Sequence, residues 1–370
     1  MVNLFESVPN FSEGRDRVVI DAVAAASSAA HLLDVDPDPD HHRVVISLAG
    51  TPQELETSLL AAVAEAAARI DLSAHSGVHP RVGSADVVPI VPLGTTSLDE
   101  CHEVARELGG RIWSELRIPV YFYGYGEDWT LADVRGGRAQ PDLGGPELHQ
   151  TAGAVCVGAR HPLVAFNVLL EGTSVAEARQ LAREIRERAS GIRGVQALVF
   201  ELSGGRVQLS MNLFRVDETR PEDVVAELRR RGARVGEQQV VGLCPAAAAN
   251  DAASGRLLEA RLGAAAARAG AGLCRAKGGF ELEALARRLD REASELAALP
   301  AAQAEILAGG ERCAALPPVM RAAGLDDGEV SALALAAARG FRAAVGDETA
   351  AAFPDRTAAL DRRLESSVQA

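Results

Sequence analysis

Nothing in this chain reads as a membrane segment or as an export signal. Hydrophobic residues make up 48% of its 370 positions, yet no apolar run approaches the roughly 18 residues that a membrane span needs. The start, MVNLFESVPNFSEGRD, lacks the basic-then-apolar order of a signal peptide. A soluble, cytoplasmic protein is the expectation. Thiol chemistry is also sparse. The five cysteines, Cys101, Cys156, Cys244, Cys274 and Cys313, are scattered, odd in number and never arranged as C-x-x-C. That pattern argues against a disulfide framework or a thiolate zinc site and predicts buried free thiols. Basic stripes interleaved with aromatics are missing too, and the net charge is -13. No nucleic-acid partner is therefore expected, although a few converging arginines would still serve a small anion.

What is present is a concentration of histidine. All eight histidines fall within the first 161 residues, which places the expected chemistry in the N-terminal half. Periodicity there predicts a strand over 2 to 8, a helix over 15 to 30, and strands over 31 to 36 and 43 to 50. A helix over 51 to 70 has Thr51 as N-cap, Pro52 at the first helical position and Glu54 three residues on, the pattern of a capping box. A strand over 85 to 93 completes a β-α-β-β-α-β order, which a helix at about 97 to 112 and a strand at 118 to 124 extend.

The same order returns later. Strand 162 to 170 precedes a helix capped by Ser174, two strands joined by a Gly-Gly turn, a helix entered through Pro221, and a strand at EQQVVGL. The predicted fold class is α+β, with two ferredoxin-like (split βαβ) subdomains and a ligand groove between them. From about residue 263 the composition shifts to Ala, Arg and Leu. Leu282, Leu285, Leu289 and Leu296 share one helical face, Pro317-Pro318 breaks the chain, and residues 327 to 345 form a second amphipathic pattern. The predicted domains are 1–159, 160–262 and an all-α C-terminal extension over 263–370.

Four stretches carry polar residues in patterns suited to chemistry. In HSGVHPRVG (75 to 83), His75 and His79 stand four apart, but Gly77 and Pro80 oppose a helix and the Glu of H-E-x-x-H is missing, so zinc is disfavoured. The stretch remains open between a polar cap and a catalytic loop, with histidine for acid-base work and Arg81 as a fixed cation for a carboxylate. DVDPDPDHHRVV (34 to 45) begins like a calcium loop but lacks its Gly and closing Glu. VPNFSEG (8 to 14) reads as a turn with Ser12 as N-cap. Residues 141 to 167 form a glycine-rich approach to a strand, with no G-x-G-x-x-G and no P-loop.

Taken in order, these stretches resemble the glutamate formimidoyltransferase family, which also forms the first half of formiminotransferase-cyclodeaminase. The motifs are VPNFSEG at 8 to 14, LDVD at 33 to 36, HSGVHPRVGSADVVPIVP at 75 to 92, VYFYG at 120 to 124, PDLGG at 141 to 145, GARHPLVAFN at 158 to 167 and VGLCP at 241 to 245. The resemblance covers about the first 260 residues. It implies transfer of a formimino group from N-formimino-L-glutamate to N5 of tetrahydrofolate, a co-substrate, in histidine degradation, with the folate between two α+β subdomains. His79 takes the catalytic role by this resemblance. Asn10 joins the substrate-binding set, and charge adds Asp36 for the cationic formimino group and Arg43 and Arg81 for carboxylates. The family's folate stretch maps onto Gly144, Gly145, Pro146, Glu147, Leu148, His149, Gln150, Thr151, Ala152 and Gly153.

The chain departs from the family pattern at several points. The VRGGRAQ loop is shorter than usual, Gly145 is inserted before Pro146, and His42 stands where Asn is common. The alternative these departures raise is a folate-binding paralogue with lost or altered transfer activity. A metal-dependent hydrolase using Asp36, His75 and His79 is a third reading, while the resemblance implies no metal. The tail lacks the glycine-rich stretch of a cyclodeaminase domain, so transferase activity without deaminase activity is expected. The partners expected are small molecules, with a homodimer as the candidate assembly.

Overall fold

The computed structural model describes residues 4–298 apart from 78 and 95. The helical pattern at 327 to 345, Pro317-Pro318 and Cys313 lie outside the described residues. The first sheet has seven strands. β1 (Phe5–Ser7) and β2 (Asn10–Phe11) are two pieces of one strand line, interrupted at Val8-Pro9, where proline has no N–H to give the ladder. Both pieces lie between β4 (Arg43–Gly50) and β5 (Ala85–Pro92) and run antiparallel to each. β3 (His31–Asp38) pairs antiparallel with β4 on the outside. On the other side β7 (Val155–Ala159) is parallel to β5, and β6 (Val120–Gly124) is parallel to β7.

Three helices cover one face of this sheet: α1 (Arg17–Ala26), α2 (Pro52–Arg69) and α3 (Leu98–Arg111). Phe5, Ile46 and Val88 from the strands and Ile20, Leu55, Leu59 and Leu108 from the helices form its core. α2 starts as its sequence requires, with Thr51 and Glu54 bonded reciprocally as a capping box. α1 does not start at Ser12. The strand line continues past Pro9, and Asp16 becomes the N-cap, accepting from the Val18 and Val19 N–H groups. The short helix α4 (Leu131–Arg135) closes over part of the opposite face near Tyr121, Tyr123 and Cys156.

The glycine-rich stretch 141 to 167 contains a strand that its sequence did not announce. β7 is only VCVGA, buried along its whole length. It enters parallel to its neighbours, where a strand is an apolar run with no polar alternation to mark it.

The second sheet consists of β8 (Val164–Leu170), β9 (Val195–Glu201), β10 (Val207–Leu213) and β11 (Val235–Val241), in the order β11-β8-β10-β9, with every pair antiparallel. α5 (Val175–Ile185), begun by a Ser174–Glu177 capping box, and α6 (Pro221–Arg230) complete the unit. Val164, Phe166, Leu209 and Met211 pack with Ala178, Ala182 and Val224 as its core. The β9–β10 connection turns through Gly204 and Gly205, both at φ 72, a conformation that glycine adopts without steric cost.

The C-terminal region is helical. α7 runs Leu258–Lys277 and α8 Phe280–Ala297. Leu289 and Leu296 are buried, with Leu282 and Leu285 packed beside them, as the helical spacing predicts. This cluster also takes in Leu4, Leu33, Ala49 and Leu93, so the helices dock on the first sheet's side of the protein. Mixed sheets with helices and a helical C-terminal region make this an α+β protein. Cys101, Cys156, Cys244 and Cys274 are buried and unbridged. No helix among the described residues is long and apolar enough to cross a membrane.

Candidate active site

Strand alternation decides which side chains face a polar cavity between the two sheets. In β1, Phe5 and Ser7 are buried on the helix side, so Glu6 faces the other way. In β8 and β10 the apolar residues go under the helices and leave Ala165, Asn167, Ser210 and Asn212 on the opposite face. Residues of both sheets line a cavity of about 230 Å³. Its polar lining includes Glu6, Asn10, Asp36, Asp38, His41, Arg43, His79, Arg135, Arg160, Asn167, Ser210 and Asn212, and Leu258 of α7 adds to its wall.

The HSGVHPRVG loop reaches this cavity because three motif loops are laced together. Ser12 donates its hydroxyl to the Gly83 carbonyl at 2.7 Å. His42 places Nε2 2.9 Å from the Glu13 carboxylate and stacks on His75 with ring centroids 4.1 Å apart. Its φ of 53 is left-handed, a conformation that His, Asn and Asp enter more readily than most residues. Glu13 also accepts the N–H groups of Gly14, Arg15 and Asp16. Gly83 has no alternative, because a Cβ there would lie 1.7 Å from the Ala154 carbonyl oxygen.

His79 lines the cavity, half-buried, between Arg43 and Phe200. Its Nδ1 is 2.7 Å from the Pro80 carbonyl and 2.5 Å from Nη1 of Arg43. The carbonyl asks for Nδ1–H and the guanidinium for a bare Nδ1, so the two contacts suit opposite tautomers of a neutral ring. Burial, with Arg43 next, pushes the His79 pKa down to about 3. The ring is neutral at physiological pH with one lone pair to offer. His75 lies lower than usual as well, at about 4, through burial and then Arg81.

Arg43 is itself part of a buried cluster. It pairs with Asp86, which is fully buried and also accepts from Arg135 at 2.8 Å. Burial alone would raise the Asp86 pKa, but Arg43 and Arg135 overcome it and hold the carboxyl below its ordinary value. Two guanidiniums against one carboxylate leave one positive charge at the cavity wall, a setting for an anion.

The remaining candidates separate into two groups. Asn10 and Asp36 line the cavity with His79 and Arg43. The Asp36 carboxylate is already engaged, accepting from the Gly242 N–H at 2.8 Å and from Arg256 at 2.9 Å. Arg81 does not line the cavity. Its Nη1 lies 2.8 Å from His75 Nε2, and weaker contacts reach the carbonyls of His41, His42 and His79. None of the ten residues from Gly144 to Gly153 lines the cavity either. Gly144 sits against Trp113, His149 Nδ1 accepts from the Ala152 N–H at 3.1 Å, and Gly153 pairs with Gly83, which ties this stretch to the His79 loop.

Sequence reasoning passed over Glu6, Asp86, Arg135, Arg160 and Asn167. Glu6 in LFESV and Asp86 in ADVV are charged residues inside apolar strands, and that was the available signal. Arg135 gave none, because only the tertiary fold brings it to Asp86.

Comparisons with known proteins place the chain among relatives of one family. The family model described as formiminotransferase domain, N-terminal subdomain, matches residues 4–160. Glutamate formimidoyltransferase of Streptococcus pyogenes serotype M1 is 35% identical over 277 residues, covering 68% of this chain and 93% of that protein. The glutamate formimidoyltransferase of Thermoplasma acidophilum is 37% identical over 279 residues, covering 68% and 91%. Formimidoyltransferase-cyclodeaminase of Rattus norvegicus is 35% identical over 284 residues, covering 69% of this chain and 52% of that longer protein.

Proposed function

The chain belongs to the glutamate formimidoyltransferase family, and from that premise we propose that it moves the formimino group of N-formimino-L-glutamate to N5 of tetrahydrofolate in histidine degradation. The observation that carries the reading is the neutral His79 imidazole beside the positively charged Arg43, Asp86 and Arg135 cluster at the wall of one cavity. Attack of N5 on the formimino carbon releases a proton, and departure of the glutamate nitrogen takes one up. One group that accepts and returns a proton closes that balance, and His79 is assigned this catalytic role. A substrate carboxylate held by Arg43 and Arg135 cancels their field at the imidazole. The proton affinity of His79 then rises as the substrate arrives.

Asn10 and Asp36 are assigned to the substrate side of the cavity, next to the charge that a formimino group carries. Arg81 is assigned the holding of the His79 loop, on the strength of its contacts with His75 and three backbone carbonyls. Gly144 to Gly153 is proposed as the folate-contacting stretch, supported by its pairing with Gly83. The β11-β8-β10-β9 order supports reading 160–262 as a split-βαβ subdomain, facing a first subdomain over 1–159 across the ligand groove, with 263–370 as the extension. Catalysis without a metal, in the cytoplasm, by a homodimer completes the reading.

Incubating the purified full-length chain with N-formimino-L-glutamate and tetrahydrofolate tests it. Glutamate release matched by 5-formiminotetrahydrofolate is expected. Absence of that product from a folded chain overturns the assignment.

A further inference from the structure

Three carboxylates line the cavity, and they differ in what they already hold. Asp38 accepts both the backbone N–H and Nδ1 of His41, each at 2.8 Å. Asp36 accepts from Gly242 and Arg256. Glu6 lies in β1 between Ala49 and Val91, is 5% exposed, and has no hydrogen-bond or ion-pair partner for its carboxylate among the described residues. A buried carboxyl with no hydrogen bond, and with Arg160 as its counter-charge only beyond ion-pair distance, is costly, and such a group inside a binding cavity calls for a ligand that satisfies it.

The two parallel oxygens of a carboxylate match two parallel N–H donors, the geometry of an amidine edge. Both co-substrates of the proposed reaction carry such an edge: the formimidoyl group itself and the 2-amino-4-oxopyrimidine ring of the reduced folate. We infer that Glu6 is the specificity-determining acceptor for the N–C–N donor edge of a bound amidine. The inference rests on the proposed transfer activity, because that activity supplies the amidine. The setting supports it. Burial pushes the Glu6 pKa up to about 7, Arg160 pulls it down and Glu259 of α7 raises it further. Tyr123 shares the cavity wall and interacts with Arg160. Glu6 is thus poised to ionise when a donor edge arrives.

The test uses equilibrium binding to the full chain of N-formimino-L-glutamate alone and of 5-formyltetrahydrofolate alone, in wild type and in Glu6→Gln. Loss of a charged acceptor is expected to weaken one ligand by roughly ten- to a hundredfold, leaving the other within about twofold. Weakening of the glutamate derivative identifies the formimidoyl edge, and weakening of the folate identifies the pyrimidine edge. In wild type the affected affinity falls as pH drops through about 7, and in Glu6→Gln that dependence disappears. Glu6→Asp, which keeps the charge on a shorter arm, recovers part of the affinity and the pH dependence. Equal binding of both ligands by wild type and Glu6→Gln overturns the inference, as does equal weakening of both with a lowered melting temperature. A wild-type chain that binds neither ligand overturns the transfer activity, and the role of Glu6 falls with it.

Discussion

The seven-stranded sheet turns Glu6, Asp36 and Arg43 toward the cavity, the loop before β5 adds His79 and helix α4 adds Arg135, whereas the four-stranded sheet offers Asn167, Ser210 and Asn212. Both sheets send apolar residues under helices on one face and polar residues to the other. What differs is the cost of the polar face. Amides and hydroxyls need only a few hydrogen bonds, but buried charges need partners, and the first sheet supplies them as the Arg43, Asp86 and Arg135 cluster. Chemistry is expected where the charges are, and positioning where the amides are.

The strongest way to break that difference is to remove the shared counter-ion. Asp86→Ala leaves two guanidiniums facing each other at a buried wall, and a loss of about 3–5 kcal/mol in unfolding free energy is expected by denaturant titration. An unchanged midpoint would mean that the cluster is not what holds the first sheet's face together.

The next effect reads the acidic groups below the cavity. Burial raises the Glu259 pKa from 4.5 to about 7, so between those values the folded chain keeps a proton that the unfolded chain has released. The stability tied to that proton is present below pH 4.5 and is lost as pH rises through about 7. Glu259→Gln should therefore gain on wild type by something on the order of 1–3 kcal/mol between pH 4.5 and 8. Melting temperatures of the two proteins at pH 5 and pH 8 measure it. A constant difference would show that Glu259 ionises normally.

The smallest effect belongs to the second sheet. Asn212→Ala removes one neutral hydrogen-bonding group, worth about 0.5–1.5 kcal/mol, so KM for one substrate should rise roughly two- to tenfold with kcat nearly constant. A large fall in kcat would erase the distinction between the sheets.

Much of this was readable before any coordinates. The capping boxes at Thr51 and Ser174, the strand over 43 to 50 and the one-faced leucines of α8 follow from local patterns that tertiary contacts did not override. His79, Arg43, Asn10 and Asp36 line one cavity, whereas Arg81 and residues 144 to 153 stand outside it. Three features were not readable. β7 is too short and too uniformly apolar to show a period. Ser12 resembles an N-cap until the pairing of β2 draws it into the sheet. Arg135, Arg160 and Glu259 reach the site only through packing between distant segments, which no spacing along the chain encodes.

The central claim is that His79 on the charged side moves the proton during formimino transfer. Its most direct test is kcat for His79→Ala with both substrates saturating, beside its melting temperature and folate affinity. The account predicts a fall of roughly 10²- to 10⁴-fold in kcat with folding and folate binding retained. A folded His79→Ala protein that turns over at the wild-type rate would contradict it.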